Sequence, residues 1–429
     1  MILHVDANGF YAACERLFRP DLNKKPIAVL SNNDGVTIAL NQECKDLGFK
    51  RGDIYFKEKE TYAQKEVEVF SSNYTLYADI CRRLNLLYEE YAEKVEMYSI
   101  DESFLYVPDC TNIDYTELGR TIRSEVKRQI HMPVSVGAAP TKTLAKMCNK
   151  LAKNTGGVFD WNNCNKEETL RNYKVEDVWG IGHSKAFELH RLNVKSAYDL
   201  SIFPLDKAKK LLSITGVRTV QELNGIQALD SQDSRDRQNI TSSKSFAHGV
   251  TEYTELETAL SEYTQLAVTR MRSENSECKI ICIYLMTARA FCENDKDNEY
   301  FNAASYILDE ATSYLPEIIR VSDLLLKSIY RYGYKYRKIM VNLLGLEQKG
   351  QKQLSLFDYN DEKSLKKKES LMEVCDTLNE KYGRGCLHTG TRNLAKPITV
   401  EGKKASWIME RKMLSPEYTT NISSIPEVL

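Results

Sequence analysis

The chain has 429 residues, 42% hydrophobic and 28% charged, with a formal net charge of −1, which suits a globular protein of roughly three domains. No apolar run approaches the ~18 residues of a membrane span, and only five residues precede Asp6, so neither a membrane protein nor a secretory leader is expected. The eleven cysteines are scattered, and the closest pair, Cys278 and Cys282, has no His or Cys companion at zinc-ligand spacing, so reduced thiols in a cytoplasmic protein are expected.

Residues 1–5 form an apolar run that predicts a strand ending at Asp6, and Phe10, Ala13, Cys14, Leu17 and Phe18 then recur at helical spacing. Residues 21–75 read as a small, polar, mixed segment broken by Pro26, Gly35, Gly48 and Gly52. A helix is expected over 74–93, with Leu76, Ile80, Leu84, Leu87 and Tyr91 on one face. The stretch 95–107 predicts two short strands meeting around Asp101 and Glu102, followed by a helix at 118–130, a strand at 133–139 and a helix at 143–153. From 175 to 225 short helices alternate with glycine-centred turns. The polar run after Ala228 cannot bury enough surface to offset its ordering entropy and reads as a linker. Beyond it, strands are expected at 244–250, 279–286, 300–307 and 338–346 and helices at 256–273 and 322–332, a βαββαβ order typical of a compact α+β domain. The tail past Gly350 is polar and lysine-bearing, with a last helical stretch at 405–413.

Asp6, Asp101 and Glu102 all fall at strand ends. Phosphoryl transfer to a 3′-hydroxyl uses one metal ion to activate the attacking oxygen and a second, ~3.5–4 Å away, to stabilise the leaving pyrophosphate. Magnesium takes oxygen ligands and completes its shell with water and substrate phosphate. Adjacent acids face opposite ways on a straight strand but converge at a tight turn. Taken alone, an Asp-Glu pair in a hairpin is most often simply solvated, so its surroundings decide.

Those surroundings are VDANGFYAACE at 5–15, LSNNDGVTIALN at 30–41, YSIDESF at 98–104, TKTLAK at 141–146 and RKMLSPEYTT at 411–420. In this order, and across essentially the whole chain, they resemble the signature motifs of Y-family translesion DNA polymerases, most closely the UmuC branch (the catalytic subunit of bacterial polymerase V type). The resemblance implies an α+β multidomain right-hand polymerase. Its parts would be a palm from 1–20 and 76–160, small fingers at 21–75, a helical thumb with a helix-hairpin-helix at 161–230, a linker at 231–241, a βαββαβ little finger at 242–347 and a tail at 348–429. Carried over residue by residue, Asp6, Asp101 and Glu102 are catalytic and hold two Mg2+ ions, with the Ala7 carbonyl as a further ligand. Tyr11, with Phe10 beside it at the nucleotide, falls where the family places a steric gate against a ribose 2′-hydroxyl. Lys45 and Lys153 match cationic positions that approach the triphosphate. Without the resemblance, Tyr11 is ordinary helix packing and each lysine a routine surface residue. The chain departs from the pattern at Leu40, where an arginine usually precedes the Asn, and at Gln42, where other branches carry tyrosine. Both bear on nucleotide contact rather than on the chemistry.

VWGIGHSKA at 178–186 resembles a helix-hairpin-helix, in which Gly180 and Gly182 permit a tight turn whose N–H groups reach a DNA phosphate. A second turn is expected at 215–218. Lys244-Ser-Phe resembles the entry strand of the little finger, and 330–338 interleaves four basic residues with four tyrosines. The net charge over 242–347 is nevertheless −3, so DNA binding there is expected to be weak and salt-sensitive. QLSLF at 353–357 resembles the bacterial sliding-clamp pentapeptide, with Gln353 in a polar subsite and Leu354, Leu356 and Phe357 on the apolar side. Such a tether raises effective concentration at the template; a packed return of the tail onto its own domain is the alternative.

The expected function is translesion synthesis on primer–template DNA with deoxynucleoside triphosphates, in an SOS-like, mutagenic damage response. The resemblance also brings an accessory UmuD-like subunit or a recombinase filament as candidate partners, although no motif in the chain specifies them. Two other readings remain open: a two-metal nuclease, which the gate aromatic argues against, and a non-catalytic DNA- and clamp-binding scaffold, which the intact acidic triad argues against.

Overall fold

The computed structural model describes residues 1–108, 113–229, 237–287, 299–349, 362–383, 386–387, 399–400, 403–404 and 411–421. Two compact units emerge, Met1–Ser234 together with Arg411–Leu429, and Arg235–Glu410.

The first unit opens with β1 (Ile2–Ala7), α1 (Phe10–Leu17), β2 (Ile27–Leu30), β3 (Thr37–Leu40), α2 (Gln42–Asp46), α3 (Tyr55–Gln64), β4 (Glu68–Ser71) and α4 (Tyr74–Tyr88). It continues through β5 (Lys94–Met97), β6 (Glu102–Tyr106), α5 (Tyr115–Ile130), β7 (Val134–Ala139), α6 (Lys142–Ala152) and β8 (Val158–Asp160). A five-stranded sheet takes the order β5-β6-β1-β7-β8, with β1 antiparallel to both neighbours. The central place of β1 explains its apolar run: Leu3 and Val5 pack with α4 and α5, while Ile2, on the opposite pleat, packs with α6.

Residues 21–75, read from sequence only as a mixed segment, contain a second sheet of order β3-β2-β4. Strand β2 is antiparallel to β3 and parallel to β4, leaving β4 as an edge. Ala28, Leu40, Cys44, Phe49, Tyr62 and Val67 form its own small core. Helix α4 stops at Tyr88, short of the expected 93, although Tyr91 still packs on the core beyond the helix end.

Four helices follow: α7 (Lys166–Asn172), α8 (His183–Arg191), α9 (Ala197–Ser201) and α10 (Leu205–Leu223). The second turn falls at Ser213, with φ 68°, rather than at 215–218. There Thr215 Oγ1 donates to Leu212 O at 3.2 Å and lies 3.1 Å from Ser213 Oγ, and the helix has resumed by Gly216.

The second unit has the expected order β9 (Asn239–Val250), α11 (Tyr253–Ser273), β10 (Ser276–Thr287), β11 (Phe301–Thr312), α12 (Leu315–Ile329) and β12 (Tyr336–Gln348). The strands lie β11-β10-β12-β9, all antiparallel. Ile281, Ile283 and Leu285 of β10 and Ile339, Val341 and Leu343 of β12 bury against the two helices. Strand β9 starts earlier than expected because Asn239, Ile240 and Thr241 pair with Leu344, Leu343 and Asn342. A further helix, α13 (Glu362–Tyr382), adds Met372 to this core and an Asp376–Arg272 ion pair at 2.7 Å. The expected helix at 405–413 does not extend through 411–413, which instead pair with the first unit; 405–410 and most of the expected linker lie outside the described residues. Among the described residues no helix is long and apolar enough to cross a membrane.

Candidate active site

Asp6 stands near the end of β1, and its register partner across the sheet is Glu102, the first residue of β6. Directly opposed residues of an antiparallel pair present their side chains on the same face, with Cβ atoms ~4.5–5.5 Å apart. The Ala7 N–H donates to the Asp101 carbonyl at 2.9 Å, which ties the turn before β6 to the end of β1. Ser99 shapes that turn: its hydroxyl donates to Asp101 Oδ1 at 2.5 Å and accepts from the backbone N–H groups of Asp101 and Glu102 at 3.3 and 3.1 Å. The acids expected at one place from sequence are thus gathered at one end of one sheet.

Two lysines meet them. Lys146 Nζ lies 2.9 Å from Glu102 Oε2, and Lys153 Nζ lies 3.0 Å from Asp6 Oδ1. Burial holds the Glu102 carboxyl above its ordinary range, opposed by Lys146 and reinforced by Asp6 and Asp101. His4, wholly buried 3.6 Å from Glu102, is pushed well below its ordinary value, first by burial and then by Lys146 and Lys153, all of which disfavour the imidazolium. A cleft of about 270 Å³ is lined by Asp6, Glu102, Lys146, Lys150, Lys153 and Trp179, among others.

Among the described residues no three His, Cys, Asp or Glu side chains close into a ready-made metal cluster, and Asp6 and Glu102 each face a lysine. The donor set nonetheless fits a hard dication. It offers carboxylate oxygens and no thiolate, and replacing an ammonium by a dication on the same oxygens keeps the cleft compensated.

Tyr11, the second residue of α1, stacks on Tyr77 with centroids 4.5 Å apart and planes at 16°, and meets Tyr74 edge-on at 5.9 Å. Its phenol is raised by burial first, with Tyr74 and Asp101 adding and Arg51 opposing, so both the acid and the arginine act on this ring. Phe10, expected beside the nucleotide, has its side chain 3% exposed and within the core. Lys45 stands exposed on α2. Sequence reading gave no role to Arg51, Lys146 or Lys150. A signal was present for the lysines, since 146, 150 and 153 follow i, i+4, i+7 spacing along α6 and its end.

At 178–186, Gly180 has φ +88°, and Gly182 is the N-cap of α8 with no side-chain cap, leaving exposed backbone at a helix start. In the second unit Lys244 is turned to its own surroundings, 3.6 Å from Glu262 Oε1 and 5.3 Å over the Tyr263 ring. The segment 330–338 is not a uniform basic edge. Tyr334 and Tyr336 pack on Tyr300 and on each other, Tyr330 packs on Tyr336, and Arg337 donates inward to the Phe246 carbonyl; Arg331, Tyr332 and Lys335 are exposed. The candidate clamp peptide, Gln353, Leu354, Leu356 and Phe357, lies outside the described residues.

Solved structures define the fold. The chain matches a chimera of the Y-family DNA polymerases Dbh and Dpo4 with a TM-score of 0.65 and 20% identity, over 81% of this chain and 99% of that one. It matches an insertion ternary complex of Dbh DNA polymerase with a TM-score of 0.53 and 19% identity, over 81% and 99%. These likenesses establish a Y-family polymerase fold. Family models then match residues 5–150 as the impB/mucB/samB family, 237–356 as that family's C-terminal domain and 369–428 as a domain of unknown function. Protein UmuC of Salmonella typhimurium (strain LT2) is 39% identical over 430 residues, 99% of each chain, and protein MucB of Escherichia coli is 35% identical over 435 residues, again 99% of each. DNA polymerase IV 1 of Bacillus subtilis is 25% identical over 407 residues, covering 91% of this chain and 92% of that protein. The chain belongs to the impB/mucB/samB family, the UmuC-type branch of the Y-family polymerases.

Proposed function

We propose that the chain performs template-directed translesion DNA synthesis in a DNA damage response, through Asp6, Asp101 and Glu102. The observation that carries this reading is the pairing of Asp6 with Glu102 across β1 and β6, with Asp101 fixed to Ala7 between them and two lysines facing the carboxylates. Asp6, Asp101 and Glu102, with the Ala7 carbonyl, would hold two Mg2+ ions, whose charge would activate the primer 3′-hydroxyl and offset that of the departing pyrophosphate. The protein's own part is placement and electrostatics. Lys153, released from Asp6, offers its ammonium to triphosphate oxygens, as does Lys45. Lys146 opposes the burial that disfavours the Glu102 carboxylate in a partly desolvated cleft. Tyr11, held by stacking on Tyr77, occupies the space a ribose 2′-hydroxyl needs.

The five-stranded sheet is assigned as the palm, β2–β4 with α2 and α3 as the fingers, α7–α10 as the thumb and β9–β12 with α11 and α12 as the little finger. Backbone N–H groups at Gly180 and Gly182 grip primer–template phosphates without reading sequence, and 353–357 tether the enzyme to a sliding clamp. A two-metal nuclease would share the acids but has no use for a stacked tyrosine gate. Primer extension across defined lesions with Mg2+ tests the proposal. Lengthened primers from the wild type and none from Asp101→Ala are expected. Shortened strands would indicate a nuclease, and inactivity of both proteins a scaffold.

A further inference from the structure

Residues 411–421 fold back onto the first unit and occupy the edge of its smaller sheet. The Ser71 N–H donates to Met413 O and the Met413 N–H to Ser71 Oγ, each at 2.9 Å, and Leu414 forms a parallel bridge with Ser71. The Lys412 N–H donates to Asp34 Oδ2 at 2.8 Å. Strand β4 would otherwise present unpaired backbone groups on this side, and the strap covers them as an added strand would. Further along, Tyr418 stacks on Phe18 of the segment after α1, with centroids 4.6 Å apart and planes at 14°.

The strap also reaches the groups behind the gate. Asn73, the N-cap of α4, donates to the Ser415 carbonyl at 3.2 Å, to Ser415 Oγ at 2.9 Å and to the Pro416 carbonyl at 3.2 Å. One turn into α4, Tyr77 is fully buried and donates its hydroxyl to Glu15 Oε1 at 2.6 Å. The other carboxylate oxygen, Oε2, is buried with no hydrogen-bond partner among the described residues. Tyr77 in turn is the ring on which Tyr11 stacks. A path of contacts therefore runs from Ser415 of the strap through Asn73, the N-cap of α4, to Tyr77 one turn further on and from its ring to Tyr11.

We propose that the strap at 411–421 is a positioning element of the nucleotide site, which fixes Tyr77 and thereby sets how strictly Tyr11 rejects a ribose. This assigns a role to the end of the segment matched only as a domain of unknown function, and it rests on the reading of Tyr11 as the sugar gate. A gate rejects a hydroxyl only if its ring cannot retreat. Here retreat is opposed by a buried tyrosine anchored at its far end to a carboxyl, on a helix whose N-cap is bonded to the strap.

The test uses full-length Ser415→Ala and Tyr418→Ala, with Ser415→Thr as the hydroxyl-preserving control and Tyr11→Ala as comparator. Steady-state kcat and KM are measured for matched deoxy- and ribonucleoside triphosphates on one primer–template, alongside melting temperature. The ribo-to-deoxy ratio of kcat/KM is expected to rise about tenfold in Ser415→Ala and Tyr418→Ala, the effect of losing roughly one buried interaction. Deoxynucleotide kcat is expected to stay within about twofold, and Ser415→Thr to behave as wild type. If Tyr11→Ala raises ribonucleotide use while both strap variants leave the ratio unchanged, the brace is wrong and the gate stands. If Tyr11→Ala leaves the ratio unchanged, the gate reading itself fails. Equal loss of both nucleotides in Ser415→Ala, with a lower melting temperature, makes the strap a structural support alone and overturns the proposal.

Discussion

Replacing Glu15 with glutamine is expected to remove a pH-dependent weakness from the first unit. Glu15 is fully buried, and burial lifts its carboxyl from an ordinary 4.5 to about 7 against the opposing hydrogen bond from Tyr77. The folded protein therefore keeps a proton there that the unfolded chain releases. Its contribution to stability is full below about pH 4.5, is lost as pH rises through about 7, and is constant above that. At ~1.4 kcal/mol per pH unit the gap corresponds to about 3 kcal/mol. The side-chain amide of the glutamine would accept the Tyr77 hydroxyl without carrying a charge, so the variant lacks this dependence. Urea unfolding of both proteins between pH 5 and pH 8 isolates the effect, because every other titrating group is common to the two. The stability difference is expected to move in favour of Glu15→Gln across that range by up to about 3 kcal/mol. A difference that stays flat with pH would refute the reasoning.

Lys146→Met removes the main charge opposing burial at Glu102, so the carboxyl rises further and protonates sooner on acidification. The acid limb of the kcat/KM profile for nucleotide incorporation is expected to move to higher pH; a limb left in place would remove Lys146 from the site. Gly182→Asp meets no atom within 4 Å and puts a favoured N-cap at the start of α8. Melting temperature is expected to hold or rise slightly while primer–template affinity falls, since the new carboxylate faces the phosphate; unchanged DNA affinity would argue against contact at this turn. Deleting 353–357 is expected to reduce clamp-stimulated synthesis and spare basal extension. Equal loss of both would refute the tether.

Strand β1 was legible because a central strand is apolar on both faces, and the acids because a strand end and a turn carry local signals. The smaller sheet was not, since β2 pairs in parallel with β4 about forty residues away and nothing local announces that partner. Tyr91 misled the reading of α4: it keeps the helical phase of the apolar positions while packing from outside the helix. The interleaved basic residues and tyrosines at 330–338 do not share one surface: Tyr336 is fully buried at the start of β12 and Arg337 is turned inward. The segment at 411–420 was read as a motif, but its place in the fold was not. Its partners Ser71, Asn73 and Phe18 lie more than three hundred residues earlier, and a short segment ordered by distant polar contacts shows no periodicity of its own.

The sharing of metal by Asp6, Asp101 and Glu102 is tested most directly by Mn2+ binding, followed by electron paramagnetic resonance. The titration uses the full-length protein with primer–template and a non-hydrolysable deoxynucleotide, and compares wild type with Asp6→Asn and Asp101→Asn. Two bound ions in the wild type, with at least one lost in each variant, are expected. The same number of ions at the same affinity in all three proteins would contradict the account.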